Sequence, residues 1–207
     1  MNFLQKFTKR DLGFTVLTGL ITGTIAWRIF EFLKTPEFYN LPWVSLVVVI
    51  PIIWILGVLF GYFLGQWLEF FNQFGKFATI GFTNFAVTAG ALNILLSITN
   101  YTSGIGYSVI SGASFIVGVI SSYIWNKYWA FKSNNNQGGG QEFVKFFAVT
   151  IIAFIVNVSV ASVIVNYINP LAGMNLQQWA NVGIITGSAV ALIFSFIGFK
   201  LAVFRSV

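Results

Sequence analysis

The run PWVSLVVVIPIIWILGVLFGYFLGQWL, residues 42–68, carries no charged side chain. A helix rises 1.5 Å per residue, so about twenty apolar residues cross a hydrocarbon core of about 30 Å. A soluble helix buries one apolar stripe and shows water a polar face; this run is apolar all round, which marks a membrane span. Five further stretches have the same character, near 12–32, 77–98, 107–126, 146–168 and 179–199. The reading is an all-α membrane protein of about six transmembrane helices. Composition agrees: 57% of the 207 residues are hydrophobic and 8% are charged, against about 25% charged in a soluble domain. With 24 Phe and a mean hydropathy of +0.84, most of these side chains have to face lipid.

Polar breaks separate the spans. Lys34-Thr35-Pro36-Glu37 follows the first, Asn100 to Gly104 the third, and Asn169-Pro170 with Asn175 to Gln178 the fifth. Ser133 to Glu142 holds only Ser, Asn, Gln and Gly before its closing Glu, and reads as a flexible linker joining two halves. If the helices alternate, Lys6, Lys9, Arg10, Lys76, Lys127, Lys132, Lys145, Lys200 and Arg205 share one side, leaving Lys34 and Arg28 for the other. The positive-inside rule then puts both termini in the cytoplasm, in a multi-pass protein of the cell (inner) membrane. A cleaved signal peptide fits poorly, because Ala26-Trp27-Arg28 offers no small-x-small cleavage site.

The same inventory excludes chemistry. There is no Cys and no His, which removes disulfides, thiolate nucleophiles, the commonest zinc ligands and the usual neutral-pH base. Asp11, Glu31, Glu37, Glu69 and Glu142 are scattered, with no large soluble loop to hold a nucleotide-sugar site. Gly138-Gly139-Gly140 lacks the Gly-Lys-Ser/Thr ending of a nucleotide loop. The expectation is no enzymatic activity, no catalytic residue, no cofactor and no metal. An isoelectric point near 9.7 does not imply nucleic acid, because the cations lie at membrane edges in ones and twos.

Sliding the chain against itself by about seventy residues brings two helical hairpins into register. Lys76-Phe77 opens one and Lys145-Phe146 the other; Ser122 to Lys132 at the end of the first lines up with Ser195 to Arg205. Two like-oriented hairpins imply an axis along the membrane normal. Lys76-Phe77 with Gly81 and Asn84, then Asn126-Lys127-Tyr128-Trp129-Ala130-Phe131-Lys132, then a degenerate second copy: in these the chain resembles the GtrA family, whose corresponding ending is Asn-basic-x-Trp-x-Phe-basic. The resemblance covers about 74–207. It implies a four-helix domain at 74–207, with repeats 74–132 and 143–205 and the linker 133–142, preceded by an extra transmembrane hairpin at 1–73. It also implies a flippase that moves a polyprenyl-phosphate-linked sugar outward for cell-surface polysaccharide or teichoic-acid glycosylation. The alternative is a non-catalytic scaffold that recruits or anchors a membrane glycosyltransferase. The second repeat departs from the pattern, lacking Asn and Trp at the positions of Asn126 and Trp129.

Candidate substrate contacts follow. Asn84 and Thr88 share a helix face one turn apart with Gly81, and Asn157 is their polar counterpart on the fifth span. These groups either bond between helices or line a wet groove for sugar hydroxyls. Lys127, Lys132, Lys200 and Arg205, with Asn126 and Trp129, sit at helix ends. There they serve topology and anionic-lipid attraction, or cradle a lipid phosphate; Trp129 also fits an interfacial anchor. Gly57, Gly61 and Gly65 form a GxxxGxxxG row, read as helix packing or a homodimer seam, and Gly183, Gly187, Ala191 and Ser195 form another. Arg28 and Glu31, one turn apart, are read as an interfacial pair.

Overall fold

The computed structural model describes residues 3–37, 41–132, 139–171, 173–174 and 176–204. Arg205, Asn175 and the 133–138 part of the expected linker lie outside them. Among the described residues, six helices are long and apolar enough to cross a membrane. The chain divides into two compact units, Met1–Lys132 and Ser133–Val207.

In the first unit a short helix α1 (Phe3–Lys6) leads into α2 (Lys9–Phe32), then through a 3-10 turn (Trp43–Ser45) into α3 (Leu46–Leu64). Next come α4 (Phe70–Thr99) and α5 (Gly104–Trp125), which runs on into a π-helical turn (Asn126–Ala130). Helix α2 packs on α3 and α4, α3 on α4, and α4 on α5. The buried face of α2 is Thr15, Thr18, Gly19, Thr22 and Gly23, a helical stripe of small residues. This inverts the soluble pattern: lipid is as apolar as Leu, so close backbone approach and not apolar burial brings helices together. The hydroxyls of Thr15, Thr18 and Thr22 donate to carbonyls one turn back, at 2.7–2.8 Å, so the stripe buries no unbonded donor. Gly23 lies against the Leu46 backbone and Gly19 against Pro51, at the heart of the α2–α3 crossing. On the opposite side of α3, Val48, Ile52, Leu56 and Phe60 form an outward row at four-residue spacing, each at least half exposed.

In the second unit, α6 (Gly139–Tyr167) packs along α7 (Leu176–Gly198), which also ends in a π-helical turn (Phe199–Val203). The two π-turns close alike: the Phe131 N–H donates to Asn126 O at 3.0 Å and the Phe204 N–H to Phe199 O at 2.8 Å. Each final Phe meets the Phe that follows the repeat's opening Lys, with ring centroids 6.2 Å apart for Phe77–Phe131 and 6.0 Å for Phe146–Phe204.

Two expected boundaries move. Helix α4 begins at Phe70, not 77, which places Lys76 inside the helix; α6 begins at Gly139, so 139–142 belong to it and Glu142 is buried. Reading each charge as a helix end cut both spans short. Of the glycine row on α3, Gly61 meets Gly75 and Phe71 O of α4, and Gly65 meets the Asn72 side chain, so both already pack within the chain. Gly57 has nothing within 4 Å of where a Cβ would stand.

A Cβ at Gly23 would stand 2.3 Å from Leu46 O, whereas one at Gly13 on the same helix meets nothing. Gly23→Ala should therefore destabilise the protein by about 1–3 kcal/mol, and Gly13→Ala should be neutral or stabilising by up to about 1 kcal/mol. Thermal unfolding in detergent micelles separates the two; equal effects would mean that the α2–α3 crossing is not where the structure puts it.

Candidate functional site

The most connected polar group in the first unit is Asp11. Thr8 caps α2: its hydroxyl accepts from the Asp11 N–H at 3.1 Å, while the Asp11 carboxylate accepts from the Thr8 N–H at 3.2 Å, a reciprocal capping box. That lock aims the carboxylate inward. Its Oδ2 also accepts from Thr8 Oγ1 and from Tyr62 Oη of α3, each at 2.9 Å. Its Oδ1 accepts from Lys76 Nζ of α4 at 2.6 Å and from Trp129 Nε1 of the π-turn at 3.1 Å. The Asp11 side chain is wholly buried and that of Lys76 is 4% exposed. The ammonium also lies 5.2 Å from the Tyr62 ring centroid. Around this core Phe14 stacks on Trp129 at 5.6 Å, and Arg10 donates to Tyr128 O. One carboxylate thus joins α2, α3, α4 and the π-turn. All five donors are directed at it, so the cluster offers no exposed acid or nucleophile and acts as a charge-neutral tie.

The second feature is a glycine-notched crossing that occurs in both hairpins. Gly118 of α5 sits against Thr88 and the Asn84 carbonyl of α4; Gly187 of α7 sits against the Asn157 carbonyl and Ala161 of α6. A Cβ at Gly118 would lie 2.0 Å from Thr88 Oγ1, and one at Gly187 2.5 Å from Asn157 O. Close approach lets each Asn reach a serine across the crossing: Ser121 Oγ donates to Asn84 Oδ1 at 3.0 Å, and Asn157 Nδ2 donates to Ser188 Oγ at 3.0 Å. Trp125 Nε1 extends the first pair by donating to Ser121 Oγ at 3.1 Å. Among the described residues, Asn84 Nδ2 and Asn157 Oδ1 have no hydrogen-bond partner, and both asparagines are half-buried. A half-buried amide with one end unbonded can still bond a hydroxyl-bearing ligand.

Of the residues singled out from sequence, Asn84 and Thr88 meet at the first crossing, and Asn157 holds the second. Asn126 is fully buried beside Trp129; its Nδ2 donates to Ser122 O at 2.8 Å and its Oδ1 is buried without a partner. Trp129 has no exposed surface, and its N–H belongs to Asp11. Lys127 is half-buried and donates to Tyr123 Oη at 3.3 Å. Lys132 is exposed, in a left-handed backbone conformation (φ 50°) that ends the π-turn. Lys200 is exposed and lies 5.9 Å from the Phe196 ring centroid. In the second unit Lys145, at the position of Lys76, is exposed, and Phe199, at the position of Asn126, stacks on Phe146 at 4.2 Å.

Sequence reading missed Asp11, Tyr62 and Lys76 as a set. One local signal was available, Thr8 three residues before Asp11, which is the spacing of a capping box. No group of three Asp or Glu among the described residues could hold a metal.

Residues 76–206 match the GtrA/DPMS transmembrane domain, well over half of the chain. The chain belongs to this family. It is also similar to the uncharacterized membrane protein YngA of Bacillus subtilis (strain 168), 27% identical over 85 residues, which are 41% of this chain and 53% of that protein. The chain thus spans about half the length of that relative. No solved structure matches it. Lys76 is the first residue of the family domain and Trp129 lies within it, while Asp11 and Tyr62 come from the segment before it. The buried ion pair therefore fastens the matched domain to a part of the chain outside the match.

Breaking a buried pair strands a charge, at a cost of about 3–5 kcal/mol. Asp11→Asn and Lys76→Met should each lower stability by about that much in detergent, while the double variant, which strands no charge, loses clearly less than the sum. Additive losses would show that the two side chains do not act as a pair.

Proposed function

We propose that this protein is a flippase: it lets a polyprenyl-phosphate-linked monosaccharide cross the cell membrane for glycosylation of cell-surface polysaccharide or teichoic acid. In this reading α4–α5 and α6–α7 are like-oriented repeats, and both termini are cytoplasmic. Support comes from membership of the GtrA family and from the Lys and Arg bias toward one side of the spans. The observation that carries the reading is the recurrence of a partly unbonded asparagine at the notched crossing of each hairpin. A sugar leaving water exchanges hydration for donors and acceptors, and an amide supplies both. The polyprenyl tail stays in lipid throughout. The chain has no His, and Asp11 is held in an ion pair, so this reading invokes no proton coupling. Flux then runs downhill, drawn by consumption of the lipid outside.

A second reading, a non-catalytic scaffold that recruits or anchors a glycosyltransferase, has its own support. The Asp11 cluster and the threonine stripe of α2 are satisfied within the chain, as in a module built to hold its shape.

Purified protein in liposomes, supplied with a fluorescent polyprenyl-phosphate hexose, distinguishes the two. The flippase reading expects protein-dependent scrambling unchanged by a protonophore. It expects Asn84→Leu and Asn157→Leu each to slow scrambling about 2–10-fold, the effect of one lost hydrogen bond. Absence of scrambling by wild-type protein, together with stable co-purification of a glycosyltransferase, would replace that reading with the scaffold.

A further inference from the structure

Arg28 and Glu31, near the far end of α2, take no part in the sites above. Arg28 lies seventeen residues beyond Asp11, about 25 Å along the helix axis, which puts it near the opposite membrane boundary. There α2 and α4 diverge. Deeper in the unit they touch, with Thr22 Oγ1 3.2 Å from Thr83 Oγ1, and the Ile25 side chain fits over Gly90, within 2.9 Å of where a Cβ would stand. Beyond that contact a cleft of about 360 Å³ opens. Ile25, Ile29, Phe32 and Ile94 give it apolar walls, Asn93 and Ser97 line its α4 side, and Arg28 lines it from α2. Ile25 and Gly90 line its deep end, and Phe32 and Ser97 the other.

A second cleft, about 310 Å³, adjoins it on the other side of Arg28 and is lined by Trp27, Glu31, Glu37, Trp43 and their neighbours. Arg28 Nη1 donates to Glu31 Oε2 at 2.8 Å across the boundary between them, and the guanidinium carbon lies 5.5 Å from the Trp27 ring centroid. The second cleft is fixed in place: Trp43 Nε1 donates to Thr35 O at 2.9 Å, and the Trp43 ring packs on Phe30 at 4.4 Å.

We propose that these adjoining clefts bind a zwitterionic aminophospholipid, phosphatidylethanolamine, from the leaflet at the Arg28 end. The charges run in the order of its headgroup. Arg28 has five N–H donors and uses one on Glu31, leaving the rest for the lipid phosphate. The ethanolamine ammonium then lies in the cleft of Glu31, Glu37 and Trp27, where carboxylates accept its N–H groups and an indole face favours a cation. One hydrocarbon chain fills the apolar cleft between α2 and α4. A net anion such as phosphatidylglycerol fits worse, because the two carboxylates repel it; phosphatidylcholine fits worse because its quaternary nitrogen donates no hydrogen bond. The site stands apart from the flippase reading and holds equally for a scaffold.

Native mass spectrometry of the full chain, titrated separately with phosphatidylethanolamine, phosphatidylglycerol and phosphatidylcholine, tests this. Wild type should retain phosphatidylethanolamine about ten-fold more tightly than either other lipid, the effect of one charge-assisted hydrogen bond. Arg28→Gln and Glu31→Gln should each erase that preference, and Ser97→Phe, which puts a ring into the apolar cleft, should lower retention of phosphatidylethanolamine. Lys34→Gln, at the same end of α2 but lining neither cleft, should change nothing. The Arg28 and Glu31 side chains are 67% and 55% exposed, so their variants keep the fold, and an unchanged melting temperature verifies it. Equal or tighter binding of phosphatidylglycerol by wild type overturns the proposal, as does unaltered lipid preference in both charge variants or unaltered retention in Ser97→Phe.

Discussion

The buried Asp11–Lys76 pair constrains everything around it. Helix α4 has 30 residues, so it is about 45 Å long, well beyond a 30 Å hydrocarbon core. Its first turns can therefore lie in the interface, and Lys76 falls near the hydrocarbon boundary. An ammonium there, enclosed by helices, is tolerable only with a counter-charge. No carboxylate in α4 or α5 can supply it, and the one that does sits in the first turn of α2. Tyr62 and Trp129 complete the shell, so the register of α2, of α3 and of the π-turn against α4 is set by one carboxylate. The family domain carries the cation, and the preceding segment carries the anion. The N-terminal helices are thus an integral part of the first unit and not an appendage to it.

With charge handled in that way, helix association falls to small residues. The α2–α3 crossing relies on Gly19 and Gly23, α3–α4 on Gly61 and Gly75, α4–α5 on Gly118 and α6–α7 on Gly183 and Gly187. Each glycine lies so near the backbone or a side chain of the neighbouring helix that a Cβ there would be tighter than ordinary contact. The two hairpins share this device and the π-turn that ends them, yet they differ at its edge. Where the first has Trp129 donating to Asp11 and Asn126 donating to Ser122, the second has an aromatic stack, Phe146 on Phe199.

This explains which features could be read from the sequence. Span number followed from the length of apolar runs, a property each segment carries by itself. The asparagines at the crossings were legible because a polar amide in an apolar run has few other roles. The start of α4 was misplaced, because hydropathy treats Lys76 as a helix end when its charge is cancelled by a residue sixty-five positions earlier. Trp129 was legible as a motif residue but not as a donor to Asp11, since nothing local announces a partner in another helix. Long-range pairing of single charges has no period and no spacing; only the capping box at Thr8 and Asp11 leaves a local trace.

The distribution of unbonded polar atoms also orders the functional readings. Around Asp11 every carboxylate contact is a hydrogen bond from a side chain or backbone of the same unit, so an incoming phosphate finds no vacancy and would have to displace a buried anion. At the notched crossings, by contrast, a sugar hydroxyl can bond the idle end of Asn84 or Asn157 while the serine bond stays intact. If a headgroup crosses, the crossings are where it finds partners without breaking the structure. The lysines nearest the Asp11 cluster follow the same logic. Lys76 is committed to its counter-ion, whereas Lys132, exposed just past the π-turn, can meet an anion at no structural cost. A cation open to attract and an amide end open to bond, set on a frame closed by a cation that is neither, is the division of labour that the proposed flippase would use.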